Sequence, residues 1–398
     1  MDRLFVIFFD GPPLAAGAVV AADGPAAKVG GRRTNFLGVY PRVIGTAQPQ
    51  FQCPERRGRG QEKGITPVEL RRLGASGPEV SRVGLGLAAL GRPGYINICH
   101  SVDTPGDLGA GAMRSRTMEV LDGAYDAGVR YVDAARSYGR AEEFLAGWLD
   151  ARRVPRGAVT VGSKWGYTYT ADWKVEAEAH EVKNHSLGSL LRQYAESRAL
   201  LGDRLDLYQI HSATLETGVL DDAGVLGELV RMKESGLAIG LSLSGPSQAE
   251  TLRRAMGAKA DGVRVFDAVQ ATWNLLERSA GAALAEAHAA GLGVIVKEAL
   301  ANGRLTTRNL DPAFASGMGV LVAEAARLGT TADALAIAGV LARPWVDVVL
   351  SGAADVSQLR SNLAATSVAW DGEAEERLAG IAERSTDYWA TRSRLPWN

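Results

Sequence analysis

Val129-Arg130-Tyr131-Val132-Asp133-Ala134-Ala135-Arg136-Ser137-Tyr138-Gly139-Arg140-Ala141-Glu142 is the stretch on which the fold turns. Its first seven residues form a short β-branched and aromatic run, the pattern of a buried strand. A polar turn with a glycine follows, and Ala141–Leu149 then carries the apolar spacing of a helix with one buried face. A strand running directly into an amphipathic helix is the repeating element of parallel α/β architecture.

The same alternation extends in both directions from this stretch. The predicted strands are Val83–Leu87, Val129–Ala135, Val159–Trp165, Leu205–His211, Ile239–Ser244, Ala268–Trp273, Gly293–Glu298 and Val346–Ser351. Predicted helices include Ala141–Leu149, Leu187–Leu201, Val225–Glu234, Ala249–Met256 and Ala280–Ala289. Eight such units within roughly 300 residues fit an α/β fold of the closed (β/α)8 TIM-barrel type, with eight parallel strands. An open doubly wound sheet is the competing architecture, but it calls for a glycine-rich G-x-G-x-x-G turn between a strand and a helix. Gly84-Leu85-Gly86 lacks the third glycine, and Gly291-Leu292-Gly293 opens a strand instead of a helix.

Outside this pattern the chain reads differently. Residues 1–67 hold Ala/Gly/Pro-rich stretches and Arg56-Arg57-Gly58-Arg59 without a sustained period. Such composition predicts a disordered N-terminal extension. A mis-called start is the other reading, because no methionine lies between Met1 and Met113 and the regular pattern begins at Val68. The barrel is expected over 68–385, with 386–398 as a C-terminal tail.

Composition limits the function classes. Of 398 residues, 46% are hydrophobic and 22% charged, the balance of a globular protein with a large core. A formal net charge of −1 gives no basic field for nucleic acid or an anionic membrane. No apolar run approaches the roughly 20 residues of a membrane span, and Leu4–Phe9 is shorter than the roughly 7–15 of a secretory core. A cytoplasmic location is the expectation, and with it reduced thiols at Cys53 and Cys99, although a disulfide between the two stays open. The expected partner is a small molecule, with neither nucleic acid nor membrane, and the assembly a monomer or small homo-oligomer.

In a parallel barrel the C-terminal strand ends converge on one mouth. Asp133 ends the second predicted strand and Tyr138 follows it; Lys164 ends the third and His211 the fourth. Singly, each has a structural explanation as a cap, a loop aromatic, a rim charge or a core histidine. Four ionisable or hydroxyl side chains at consecutive strand ends instead suggest one site. No metal is called for, since His180 and His185 stand five apart and would not share a helical face. The long connection from Gly166 to about Ser186 brings Tyr167, Tyr169 and Trp173 to the same end. Two readings of these aromatics stand, a substrate wall and a packed-down lid; Trp165, fixed at the strand end beside Lys164, and Tyr167 are the candidate substrate contacts.

The segment Asp133-Ala134-Ala135-Arg136-Ser137-Tyr138-Gly139-Arg140-Ala141-Glu142 resembles the aldo-keto reductase signature D-x-A-x-x-Y-G-x-x-E, with the lysine and histidine in the order of that family. The resemblance implies an NAD(P)(H)-dependent oxidoreductase that interconverts an aldehyde, ketone or sugar carbonyl with an alcohol. Tyr138 would be the general acid, its pKa lowered by Lys164; Asp133 would hold the lysine, and His211 would orient the carbonyl. Gly240-Leu241-Ser242-Leu243 is similar to the family's G-x-S-N, with Leu243 in place of asparagine. Val269-Gln270-Ala271-Thr272-Trp273-Asn274 is similar to V-Q-x-x-Y-N. These matches imply carboxamide contacts from Ser242 and Gln270. Lys297 stands where many members have a stacking tyrosine, so it is read as a pyrophosphate contact or as a rim lysine paired with Glu298. Gly352, Gln358 and Asn362 match an adenosine-site pattern. Family habit favours NADP(H); NAD(H) stays open because Asp355 would repel a 2′-phosphate and Arg360 is the only nearby cation in sequence. Two other readings are a Schiff-base lyase using Lys164 and a non-catalytic cofactor-binding subunit.

Overall fold

The computed structural model describes residues 68–103 and 106–398. Eight parallel strands close into a barrel: β1 (Val83–Gly86), β2 (Tyr131–Asp133), β3 (Thr160–Trp165), β4 (Leu205–Ala213), β5 (Ala238–Leu243), β6 (Ala268–Thr272), β7 (Gly293–Lys297) and β8 (Val348–Ser351). All eight coincide with predicted strands to within a few residues. Helices α1 (Ala110–Asp126), α2 (Ala141–Ala151), α3 (Leu187–Leu201), α4 (Ala223–Glu234), α5 (Gln248–Met256), α6 (Gly281–Ala289), α7 (Ala332–Leu341) and α8 (Val356–Leu363) follow the strands in turn. The readings placed on residues 1–67 lie outside the described residues. Cys99 is disulfide-bonded, so the reduced state expected for it does not hold; Cys53 lies outside the described residues.

Alternation along the strands sorts the interior from the packed exterior. One set of apolar residues, including Leu85, Val132, Val161, Ile210, Leu241, Val269 and Val349, joins the core shared with the helices. The alternate set builds the barrel's inside. Its floor is Tyr131, Leu207, Ala268, Ile295 and Val348, closed by Leu73 and Val80 of the antiparallel hairpin Leu70–Arg72/Glu79–Ser81. Two residues further along β2, β4 and β6 the interior turns polar, at Asp133, Gln209 and Gln270, and nearer the strand ends it holds Lys164, His211, Thr272 and Lys297. Apolar floor, polar middle and charged mouth are thus successive layers of one barrel.

Among the elements added to the eight strand–helix units, two bear on the mouth. The connection from Gly166 to Ser186 is an antiparallel hairpin, Tyr167–Tyr169 paired with Glu181–Lys183. The C-terminal tail carries a further helix, α9 (Ser385–Ser393), which buries Tyr388 and Trp389. Among the described residues no helix is long and apolar enough to cross a membrane.

One glycine sets the spacing of the polar layer. A Cβ on Gly162 would lie 2.5 Å from the Tyr131 hydroxyl and 3.4 Å from Asp133 Oδ1. Only a residue without a side chain leaves room for Tyr131 to reach Asp133. Gly162→Ala is expected to destabilise the protein by about 1–3 kcal/mol through overpacking, read as a lower urea midpoint at unchanged m-value. An unchanged midpoint would mean that this layer has slack.

Candidate active site

The four expected residues meet at the barrel mouth. Asp133 is the last residue of β2, Lys164 lies near the end of β3, His211 lies in β4, and Tyr138 stands on the turn into α2. Lys164 Nζ donates to Asp133 Oδ2, to the Ala134 carbonyl at 2.9 Å and to the Tyr138 hydroxyl at 3.3 Å. Its side chain is 0% exposed, so the ammonium is stabilised by these partners and not by water. The ring of His211 lies edge-on to that of Tyr138, with centroids 5.5 Å apart.

Asp133 is the acceptor around which this arrangement is built. Its Oδ1 takes bonds from the Tyr131 hydroxyl at 3.2 Å, Gln209 Nε2 at 3.3 Å and Gln270 Nε2 at 2.9 Å. Donors from β2, β3, β4 and β6 therefore converge on one buried carboxylate. The motif glutamate, Glu142, does comparable work outside the barrel. It accepts from Ser163 at 2.6 Å, from Ser197 at 2.7 Å and from Arg136 at 2.5 Å, fixing the residue next to Lys164 against α3.

Electrostatics give the site two neutral groups beside its charged pair. Burial raises the Tyr138 phenol well above its ordinary value, and the Asp133 and Glu181 carboxylates push the same way. This reverses the lowering expected from Lys164. Because Asp133 bonds the same ammonium, lysine and carboxylate present the phenol with a pair and not a lone cation. Burial depresses His211 well below the usual imidazole range, helped by Lys164 and Lys297. His211 is thus a neutral imidazole at pH 7, with Nδ1 3.4 Å from Ser137 Oγ. The site can present a protonated phenol and a neutral imidazole to a polar substrate atom.

The remaining expected residues are placed as follows. Ser242 is fully buried and its Oγ accepts from the Ser212 amide at 2.8 Å. Leu243 is fully buried in the core. Lys297 Nζ donates to Thr272 Oγ1 at 3.0 Å and lies 3.7 Å from Glu298. Burial lowers this lysine to about 8. Glu298 is held at about 2 against the opposing effect of burial, chiefly by Arg392 of α9, which bonds it at 2.5–3.0 Å. Near β8, Gln358 Oε1 accepts from the Ala354 amide at 2.9 Å, and Asn362 Nδ2 donates to Ser351 Oγ at 2.8 Å. Asp355 caps α8 through the Gln358 amide, while a Cβ on Gly352 would meet nothing within 4 Å. Trp165 is fully buried and packs edge-on to His185 behind the mouth, whereas the Tyr167 ring faces His211 at 5.0 Å. His180 and His185 go to different partners, the Val175 and His211 carbonyls.

Sequence reasoning missed several neighbours. Arg92, in Gly91-Arg92-Pro93-Gly94 after β1, is buried with its guanidinium carbon 5.3 Å from the centre of the Tyr138 ring. A lone charge in a glycine- and proline-rich loop at a strand end was the available signal. Glu181 and Arg392 carried none, because their partners are distant in sequence.

The sequence matches the model of the Aldo/keto reductase family over residues 99–383. An uncharacterized oxidoreductase of Bacillus subtilis, YqkF, is 25% identical over 344 residues, 81% of this chain and 99% of the relative. Aldo-keto reductase str7 of Strobilurus tenacellus is 31% identical over 193 residues, 48% of each chain. Among solved structures, a Pseudomonas aeruginosa protein assigned to the aldo-keto reductases aligns at TM-score 0.53 and 25% identity, over 74% of this chain and 93% of its own. The holo form of an aldo-keto reductase from Bacillus halodurans aligns at TM-score 0.61 and 21% identity, over 80% and 97%, a likeness of fold alone. With the barrel and the strand-end centre in place, the family match over most of the chain is decisive: this protein belongs to the aldo/keto reductase family of oxidoreductases.

Proposed function

We propose that this oxidoreductase interconverts a carbonyl and an alcohol with a nicotinamide dinucleotide, and that Tyr138 is its proton donor. The observation that carries the reading is the Lys164 ammonium, bonded at once to Asp133, the Ala134 carbonyl and the Tyr138 hydroxyl. An ammonium whose three donors are engaged supports a neighbouring oxygen as it gains negative charge. It is poorly suited to Schiff-base chemistry, which needs a free amine lone pair. In the reductive direction Tyr138 gives its proton to the carbonyl oxygen, and Lys164 stabilises the phenolate left behind. Neutral His211 holds the same oxygen by donating an N–H, and Tyr167 forms a wall beside it.

The chain's own residues fit the cofactor. Ser242 keeps its hydroxyl hydrogen free to donate after accepting from Ser212, and Gln270 spends Nε2 on Asp133 while Oε1 is left to accept. One donor and one acceptor are the complement of a carboxamide. Hydride transfer is the chemistry that a bound nicotinamide supplies. Lys297 places a positive charge at the mouth for pyrophosphate. Open space at Gly352 allows close approach beside the start of α8, where the adenosine end would lie with Gln358 and Asn362. Family habit favours NADP(H), against which the Asp355 carboxylate opposes a 2′-phosphate.

Two measurements test this. With aldoses, keto-sugars and aromatic aldehydes assayed against NADPH and NADH, Tyr138→Phe is expected to lower kcat by about 10²–10⁴-fold; turnover at the unmodified rate would overturn the assignment. Asp355→Asn keeps a capping side chain but removes the charge. It is expected to tighten NADPH binding relative to NADH, followed by tryptophan fluorescence titration. An unchanged ratio would place the 2′-phosphate elsewhere.

A further inference from the structure

Arg92 is not needed to complete the Asp133–Tyr138–Lys164–His211 centre, yet it is buried against it. Nη1 donates to the Ser137 carbonyl at 2.8 Å, anchoring the residue before Tyr138, and also to the Glu181 carboxylate. The guanidinium lies over the Tyr138 ring on one contact and over the Trp397 ring, at 4.8 Å, on another. Trp397 in turn stacks on His180 at 4.0 Å. Arg92 Nε is buried without a partner. A guanidinium serving only as a structural clamp would be expected to use its fork on the carboxylate. Here one nitrogen carries both bonds, and the cation is held facing the phenol.

We propose that Arg92 and Glu181 are an opposed pair of positioning residues that set the proton affinity of Tyr138, Arg92 favouring the phenolate and Glu181 the phenol. The inference rests on Tyr138 being the proton donor. Lys164 and Asp133 form one hydrogen-bonded ion pair at this phenol, and Arg92 and Glu181 form a second. The charged and titratable groups around the phenol are Asp133, Lys164, His211, Arg92 and Glu181, with Glu298, Tyr95 and Tyr131 further out. After burial, the two carboxylates are the largest influences holding the phenol protonated, and Arg92 is the leading influence in the other direction. The pair also joins two loops: Arg92 comes from the β1 end and Glu181 from the β3 hairpin. Arrangement of those loops is thereby linked to the acidity of the proton donor.

The test is the pH dependence of kcat/KM for alcohol oxidation, in the holoenzyme, with the alcohol of whichever aldehyde in the panel is reduced. Oxidation needs the phenolate, so the rate rises with pH towards the Tyr138 pKa. Well below that pKa, moving it by one pH unit changes the rate at fixed pH about tenfold. Arg92→Met is expected to move the rise to higher pH and Glu181→Gln to lower pH, each by on the order of one pH unit. Arg92→Lys, which retains the charge, should move it less than Arg92→Met. Thermal melts accompany each variant to establish that it folds. If Tyr138→Phe abolishes turnover but either displacement is missing or reversed in a folded variant, the opposed pair is overturned while the proton-donor assignment stands. Full turnover by Tyr138→Phe, or none by the unmodified protein, contradicts the parent reading instead.

Discussion

The buried Lys164–Asp133 ion pair is the constraint around which the mouth of this barrel is arranged. Taking both charges out of water costs several kcal/mol per ion, roughly, and only close geometry with further hydrogen bonds offsets it. The barrel supplies that geometry through its layers. Tyr131, Gln209 and Gln270 satisfy the carboxylate from inside, the Ala134 carbonyl satisfies the ammonium, and Gly162 leaves the space they need. Lys164 then has one donor left, and that donor faces Tyr138. The centre is thus a consequence of how the pair is satisfied as much as of which residues compose it.

Around this core the fold supplies two further supports. Glu142 fixes the strand next to Lys164 to α3 through Ser163 and Ser197. On the opposite side, Arg392 of the C-terminal helix grips Glu298, a residue in the left-handed region at φ 56° that follows directly on Lys297. The tail accordingly holds the β7 end in a conformation that a non-glycine residue adopts only under constraint. Its aromatic residue Trp397 contributes to the same mouth through Arg92.

Much of this was legible in the sequence. The eight strands could be read because parallel buried strands give compact β-branched runs, and the four central residues because barrel strand ends converge on one face. The Gly166–Ser186 connection was legible as long and aromatic, but its hairpin pairing was not, since Tyr167 and Glu181 carry no alternation strong enough to mark edge strands. The lowering of the Tyr138 pKa expected from Lys164 is outweighed by burial and by the Asp133 and Glu181 carboxylates. Sequence reveals a lysine near a tyrosine and, through the family signature, the carboxylate that holds the lysine, but not that the phenol is dehydrated. Arg92, Glu181 and Arg392 went unread for a similar reason: their roles arise from contacts across long separations, and no local pattern encodes those.

Lys164 acts on Tyr138 as a member of the pair with Asp133, and a double-mutant cycle on kcat with Asp133→Asn and Lys164→Met tests this most directly. If the two residues form one unit, each single variant loses most of the activity that the double variant loses, and the coupling is strong. Independent, multiplicative losses would contradict it.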